Sequence, residues 1–261
     1  MPTEKTLKEL EVTWAGFEYE YEPHHRTQTP LLKSDEELVE TLEDNQVQIQ
    51  NLMTSKYIAH FLDEVSGWVK KLSTTDAVMT IWLEVQRTWS HLESIFIGSE
   101  DIRKQLPEDA ERFDVIDTEF KRIMQDAATT PNVVECTNKE GLFEKFEKLQ
   151  SMLGLCEKAL AEYLETKRLA FPRFYFVSSS DLLDILSNGT DPLAICKHLE
   201  KLFDNMSDMH FHKGTKNAHT MVSQQGEEVP FSVDCDCSGQ VETWLNRVQG
   251  GFTKMLYFGV K

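Results

Sequence analysis

Between residues 33 and 170, apolar side chains recur every three or four positions, which is the spacing of one face of an α-helix. Helices with short connections and this periodicity are typical of an elongated antiparallel bundle. The pattern predicts four long helices, which run from a cap at Ser34 to Leu72, from Asp76 to Phe96, from after Pro107 to Ala127, and from a cap at Asn138 to the residues before Pro172.

The pattern changes after residue 170, where short periodic segments alternate with strand-like ones. Residues 174–177 are aromatic and β-branched and are expected to be extended. Two short helices should follow, one over residues 181–186 with Ser180 as its cap, and one that starts at Asp191.

A β-hairpin is predicted further along the chain. Residues 220–223 and 228–233 are strand-like and flank a Gln-Gln-Gly-Glu turn, in which Gly226 would adopt a positive φ. Ser238 is the expected cap of a last amphipathic helix.

Residues 1–32 lie outside the helical pattern. Phe17, Tyr19 and Tyr21 alternate there with glutamates, which predicts a strand that Pro23 ends. The sequence therefore predicts a mainly α protein in three parts: a strand-containing segment over residues 1–32, the elongated antiparallel helical bundle over 33–170, and a smaller helical subdomain with a β-hairpin over 171–261.

Charge and composition exclude several classes of protein. The chain has 44 Asp and Glu against 27 Lys and Arg, a formal net charge of −17, so it would repel the phosphates of a nucleic acid. No apolar run approaches the length of a membrane span, and the charged N-terminus does not resemble a signal peptide. The five cysteines are few and odd in number, which favours reduced thiols in a soluble intracellular protein.

Motifs for chemistry are absent from the sequence. It has no P-loop, no dinucleotide-binding glycine motif, no HExxH and no GxSxG, so no catalytic residue and no cofactor is expected. The best metal candidate joins Cys235 and Cys237 with His210, His212 and His219. Zinc sites usually space their cysteines more widely, so ordinary hairpin residues are the favoured interpretation.

One local cluster of positive charge stands out in this acidic chain, formed by Lys167, Arg168 and Arg173. It could dock an acidic partner, or it could offset the negative end of a helix dipole, and the second interpretation is favoured.

The run from Lys167 to Ser178, KRLAFPRFYFVS, resembles the linker of dynein heavy chains. The similarity continues into Asp181–Leu186 and Asp191-Pro192, and it extends upstream to LEDNQVQIQNLMTSKY from Leu42 and to the segments around Trp82 and Phe96. The segments recur in order over most of the chain, and they are most similar to axonemal, outer-arm β-type chains.

This resemblance implies a mechanical role. A dynein linker is a curved rod of helical bundles that lies across a ring of ATPase modules and changes shape to deliver the power stroke. The expected partners are the ATPase ring modules of the same heavy chain and, indirectly, other subunits of the dynein arm. The chain itself would not be an enzyme, and it would work in the cytoplasm and cytoskeleton, in the axoneme of a cilium or flagellum.

The candidate hinge or partner contact is the segment of Phe171, Pro172, Arg173, Phe174 and Phe176. Pro172 ends the preceding helix and disfavours helical backbone at the residue before it, so the chain should turn there and couple the bundle to the distal unit. If the segment is extended, Phe174 and Phe176 share a buried face. Arg173 would bridge to Asp181, to Asp184 or to the motor ring, or it would be solvated.

Two other classes of function stay open at this point. One is a helical cytoskeletal scaffold or interaction module unrelated to dynein, although the fixed-period repeats of such scaffolds are not visible. The other is a metal-dependent enzyme built around the cysteines and histidines near the hairpin.

Overall fold

The computed structural model describes residues 2–54 and 58–258 of the chain. Its helices are α1 (Pro2–Gly16), α2 (Glu36–Met53), α3 (Leu62–Phe96), α4 (Glu100–Gln105), α5 (Pro107–Ala128), α6 (Val133–Thr137), α7 (Leu142–Ala170), α8 (Ser179–Ser187), α9 (Pro192–Cys196), α10 (Leu199–Leu202) and α11 (Val241–Phe258). Short 3₁₀ helices cover Ile58–His60 and Pro172–Phe176. Throughout the described ranges, no helix is both long and apolar enough to cross a lipid bilayer.

The strands form two small antiparallel sheets. They are β1 (Tyr21–Pro23), β2 (Pro30–Leu32), β3 (Met206–Phe211), β4 (Asn217–Ser223) and β5 (Glu228–Asp236). β1 pairs with β2, and the other strands form a sheet in the order β3-β4-β5. The prediction of a mainly α protein with a small β-hairpin is confirmed.

The chain divides into two compact units. The first unit is Met1–Glu93 with Ala110–Cys156, and the second unit is Ser94–Asp109 with Glu157–Lys261.

Tryptophans of α3 fill the core of the first unit. Trp82 stacks on Phe146 of α7 with 5.3 Å between the ring centroids, and Trp89 stacks on Phe120 of α5 at 4.5 Å. Each indole N–H donates to a side-chain acceptor 3.1 Å away, so these buried rings leave no donor unsatisfied.

The predicted limits of the first two long helices are wrong. The helix expected from Ser34 to Leu72 does not form as one helix, because α2 ends at Met53 and α3 begins at Leu62. α3 runs without a break over Leu62–Phe96 and passes through Asp76, where a new helix was expected. The Ser-Thr-Thr run before Asp76 resembles a helix start, because such residues compete for backbone hydrogen bonds. In the structure, the Thr75 hydroxyl donates to the Lys71 carbonyl and lies 2.8 Å from the Thr137 hydroxyl, so it is satisfied within the continuous helix and does not cap a new one.

Three predicted helix caps are wrong by a few residues. Asp35, not Ser34, caps α2 with its side chain. Asn138 closes α6 instead of opening α7, and Ser178 caps α8 in place of Ser180. Cap residues are common on the approach to a helix, so composition alone does not select among neighbours.

Other predicted boundaries are confirmed. α5 begins at Pro107, α7 ends at Ala170 before the proline, and the Asp191 side chain caps α9 by accepting from the backbone of Leu193. The cap predicted at Ser238 is wrong as well, because the last helix begins at Val241, three residues later.

The first 32 residues contain a helix that the aromatic alternation did not indicate. α1 buries Leu7, Leu10 and Trp14, which are spaced by three and four residues. The strand predicted over residues 17–21 is shorter and later than expected, because β1 begins at Tyr21 and includes Pro23.

The hairpin of the second unit is confirmed, and Gly226 in its turn has a φ of +82°. The third strand, β3, was missed. Met206 and Met209 are both buried although they are three residues apart, because the pairing register shifts between Met206 and Asp208. An odd spacing of buried residues resembles a helix in sequence, so the signal for this strand was hidden.

Candidate functional site

The segment predicted as a hinge or partner contact lies within the second unit, directly after α7. It is not extended as expected, since Pro172–Phe176 forms a 3₁₀ helix. Phe171 precedes it with φ −139° and ψ 93°, the extended backbone that a following proline favours. Proline lacks a backbone N–H, but the N–H groups in the first turn of a helix have no partner within the helix. Proline is therefore tolerated at the first position, and the short helix begins at this residue.

The 3₁₀ geometry decides which side chains of the segment are buried. A 3₁₀ helix has about three residues per turn, so side chains three apart share a face. Phe171, Phe174 and Val177 are accordingly buried, and the rings of Phe171 and Phe174 meet edge to face at 5.0 Å. The expectation that Phe174 and Phe176 share a buried face is wrong, because Phe176 is 72% exposed.

Three apolar side chains in and next to this segment are exposed. Phe176, Tyr175 and Leu169, at the end of α7, are each more than half exposed. The Tyr175 hydroxyl donates to a carboxylate oxygen of Glu165 at 2.5 Å, which holds the ring against the helix surface. We call Leu169, Tyr175 and Phe176 the aromatic face. These three exposed side chains are the candidate contact residues of the segment.

Arg173 is held by contacts inside the second unit. Its guanidinium donates to the Leu202 carbonyl at 2.9 Å and lies 5.0 Å from the ring centroid of Phe203. The expected bridges to Asp181 and Asp184 are not formed, because those carboxylates pair with lysines and with His198.

The other two members of the basic cluster also have partners in the second unit. Lys167 forms an ion pair with Glu242 of α11, with Nζ 2.5 Å from Oε1. Arg168 donates to the Ser179 hydroxyl at 3.0 Å. No local pattern in the sequence indicates the Lys167–Glu242 pair, because its partners are 75 positions apart.

The Lys167–Glu242 pair is buried, since each side chain is only 10% exposed. The Lys167 ammonium also lies 5.3 Å from the ring centroid of Tyr163. Glu242 is satisfied on one side only, because its Oε2 is buried without a hydrogen-bond partner among the described residues. Burial and the negative charges of Glu242 and Asp101 raise the pKa of Tyr163 to about 12.

The cysteines and histidines near the hairpin do not assemble as one site. Cys235 and Cys237 are buried, and Cys235 pairs in register with the buried Ala218 of β4. His212 is exposed on the other side and forms an ion-pair contact of 2.8 Å with Asp234, beside the ring of His219. Alternate residues of a strand face opposite sides, so the sheet separates thiols from imidazoles. In the part of the chain that the structure describes, no group of His, Cys, Asp or Glu is arranged to hold a metal ion.

Comparison with known proteins identifies a family over nearly the whole chain. Residues 1–257 match the family described as dynein heavy chain, N-terminal region 2.

Individual relatives agree with that match. The chain is 66% identical over 253 residues to a dynein beta chain, ciliary, of the sea urchin Heliocidaris crassispina, with 95% of this chain covered. It is 66% identical over 255 residues to human dynein axonemal heavy chain 9, with 96% covered. Against the dynein beta chain, flagellar outer arm, of Chlamydomonas reinhardtii, identity is 48% over 253 residues with 94% covered. The chain spans only 6% of the length of each of these relatives.

Proposed function

Since this chain belongs to the dynein heavy chains, within their N-terminal region 2, we propose that it is part of the linker of an axonemal dynein motor. In this role it lies across the ring of ATPase modules and changes shape to deliver the power stroke. Family membership removes the alternative of a helical scaffold unrelated to dynein. The relatives are named as ciliary, flagellar and axonemal chains, which supports a place in the axonemal cytoskeleton.

The observation that carries the mechanical proposal is the contrast between the two sides of the segment after α7. Phe171 and Phe174 anchor it in the core of the second unit, whereas Phe176 is 72% exposed. A rigidly anchored segment that presents apolar side chains to solvent is suited to repeated contact with a partner. We propose that the aromatic face touches an ATPase module of the same heavy chain during part of the motor cycle.

Arg173 and Pro172 have supporting roles in this proposal. Pro172 fixes the backbone at the start of the 3₁₀ helix, and Arg173 ties the helix to the Leu202 carbonyl. Both therefore set the position of Phe176. The chemistry of ATP hydrolysis would belong to other parts of the longer heavy chain, and this chain contributes movement.

The test is a substitution in a complete axonemal heavy chain that moves microtubules over a surface. Phe176→Ser removes the ring of an exposed residue, so it should leave folding intact and slow microtubule gliding. Leu193→Ser is the matched control, because Leu193 is 67% exposed elsewhere in the second unit. Unchanged gliding speed for Phe176→Ser, with the control also unchanged, would refute the contact.

A further inference from the structure

A cleft of about 270 Å³ lies within the second unit. Its walls come from α4, the last part of α7, the turn between α8 and α9, and the start of α11. The polar side chains that line it include Asp101, Lys104, Gln105, Tyr163, Lys167 and Glu242. We call it the Asp101–Glu242 cleft.

Several hydrogen-bonding groups in this cleft lack partners. The side chains of Asp101 and Gln105 and the hydroxyl of Tyr163 form no hydrogen bond or ion pair with any residue of the described ranges. Glu242 is 7% exposed, and its Oε2 is buried and unpartnered. A buried carboxylate oxygen without a donor is costly, so a group that donates to it would be stabilised.

The charges in the cleft favour a cation. Lys104 lies 3.2 Å from Glu100 on its own helix, and Lys167 is committed to the Oε1 atom of Glu242. The carboxylate of Asp101 is therefore left without a positive partner. Burial is the main cause of the raised pKa of Tyr163, and the nearby negative charges of Glu242 and Asp101 add to it.

We propose that the Asp101–Glu242 cleft binds the guanidinium group of an arginine side chain from another polypeptide. A guanidinium is planar and carries five N–H donors, so it can serve the carboxylates of Asp101 and Glu242 and the hydroxyl of Tyr163 together. It also forms charge-assisted hydrogen bonds, which are stronger than neutral ones. An ammonium group has three donors around one point and matches separated acceptors less well.

The experiment titrates the 261-residue chain with N-acetyl-arginine amide and follows backbone amide signals of α4 and α11 by NMR. N-acetyl-citrulline amide is the matched neutral probe, since it has nearly the same shape without the charge. Arginine amide should shift these signals with saturation, and citrulline amide should not. Asp101→Asn should weaken the binding about tenfold. The Asp101 side chain forms no hydrogen bond or ion pair with the described residues, so this variant is expected to keep the native stability.

Glu108→Gln is the control variant, because it removes the same charge from an exposed residue outside the cleft. Its affinity for arginine amide should equal that of the unmodified chain. The proposal is overturned if arginine amide does not bind at millimolar concentration. It is also overturned if citrulline amide binds equally well, or if Asp101→Asn and Glu108→Gln have the same effect.

Discussion

Phe174 and Phe176 lie two residues apart and have opposite environments. Phe174 is fully buried against Phe171, while Phe176 is exposed on the aromatic face. In the same short helix, the Phe174 ring therefore stabilises the fold, and the Phe176 ring is available for contact with a partner. This separation makes the proposed function testable at single residues.

We predict that Phe174→Ala lowers the stability of the chain by about 3–5 kcal/mol, because it removes a buried aromatic ring and leaves a cavity. Phe176→Ala should change stability by less than about 0.5 kcal/mol, since most of that ring is already in water. Urea unfolding followed by circular dichroism measures both. Equal losses for the two variants would contradict the 3₁₀ assignment.

The sequence predicted part of this site and missed part of it for a physical reason. Pro172 correctly located the end of α7, because the effect of proline on the backbone is local. The side on which each aromatic ring lies depends on whether the segment repeats every two or every three residues. Five residues rich in aromatics are too few to distinguish a two-residue period from a three-residue period. The β propensity of these residues favoured the two-residue period, which is wrong.

At the scale of elements, a buried ion pair joins the end of α7 to the first turn of α11. Lys167 and Glu242 supply it, and the Asn246 side chain adds a hydrogen bond of 3.1 Å to the Ala170 carbonyl. Glu242 also lies in the first turn of its helix, where a carboxylate interacts favourably with the helix dipole. These contacts fix α11 against the helix that leads into the aromatic face.

Breaking this pair from one side should be more damaging than removing it completely. Lys167→Met leaves the carboxylate of Glu242 buried without a counter-charge and should cost about 3–5 kcal/mol. The double variant Lys167→Met with Glu242→Leu fills the same space with apolar groups and should recover most of that loss. Thermal unfolding of the single and double variants measures the difference, and a double variant as unstable as the single one would argue against a buried pair.

The elements differ in how well sequence predicted them. α5 was found because its apolar stripe is strong and proline marks its start. α3 continues through Thr75, whose hydroxyl bonds within the helix and lies against Thr137, a residue 62 positions away. β3 was missed because a register shift changes the spacing of its buried methionines. Both features involve contacts between residues that are distant in sequence, so local sequence patterns could not predict them.

At the scale of the whole molecule, two properties of the sequence bear on what the chain does. It has no glycine-rich loop that could surround a phosphate, and its formal net charge is −17. The relatives that it matches are far longer, since the chain spans 6% of each. A division of labour follows from the proposed function, in which nucleotide chemistry occurs elsewhere in the heavy chain and this chain responds to it.

We therefore predict that the 261-residue chain neither binds nor hydrolyses ATP at millimolar concentration. Binding of the nucleotide needs backbone N–H groups around the phosphates, a lysine and a magnesium-binding side chain in fixed geometry, and the sequence contains no such motif. The net charge adds a repulsion toward the nucleotide anion that is strongest at low salt. Isothermal titration calorimetry with Mg-ATP and a phosphate-release assay measure the two activities, and a complete axonemal heavy chain under the same conditions is the positive control. Micromolar affinity in the isolated chain would mean that it carries a nucleotide site of its own, and the assignment of a purely mechanical role would then be wrong.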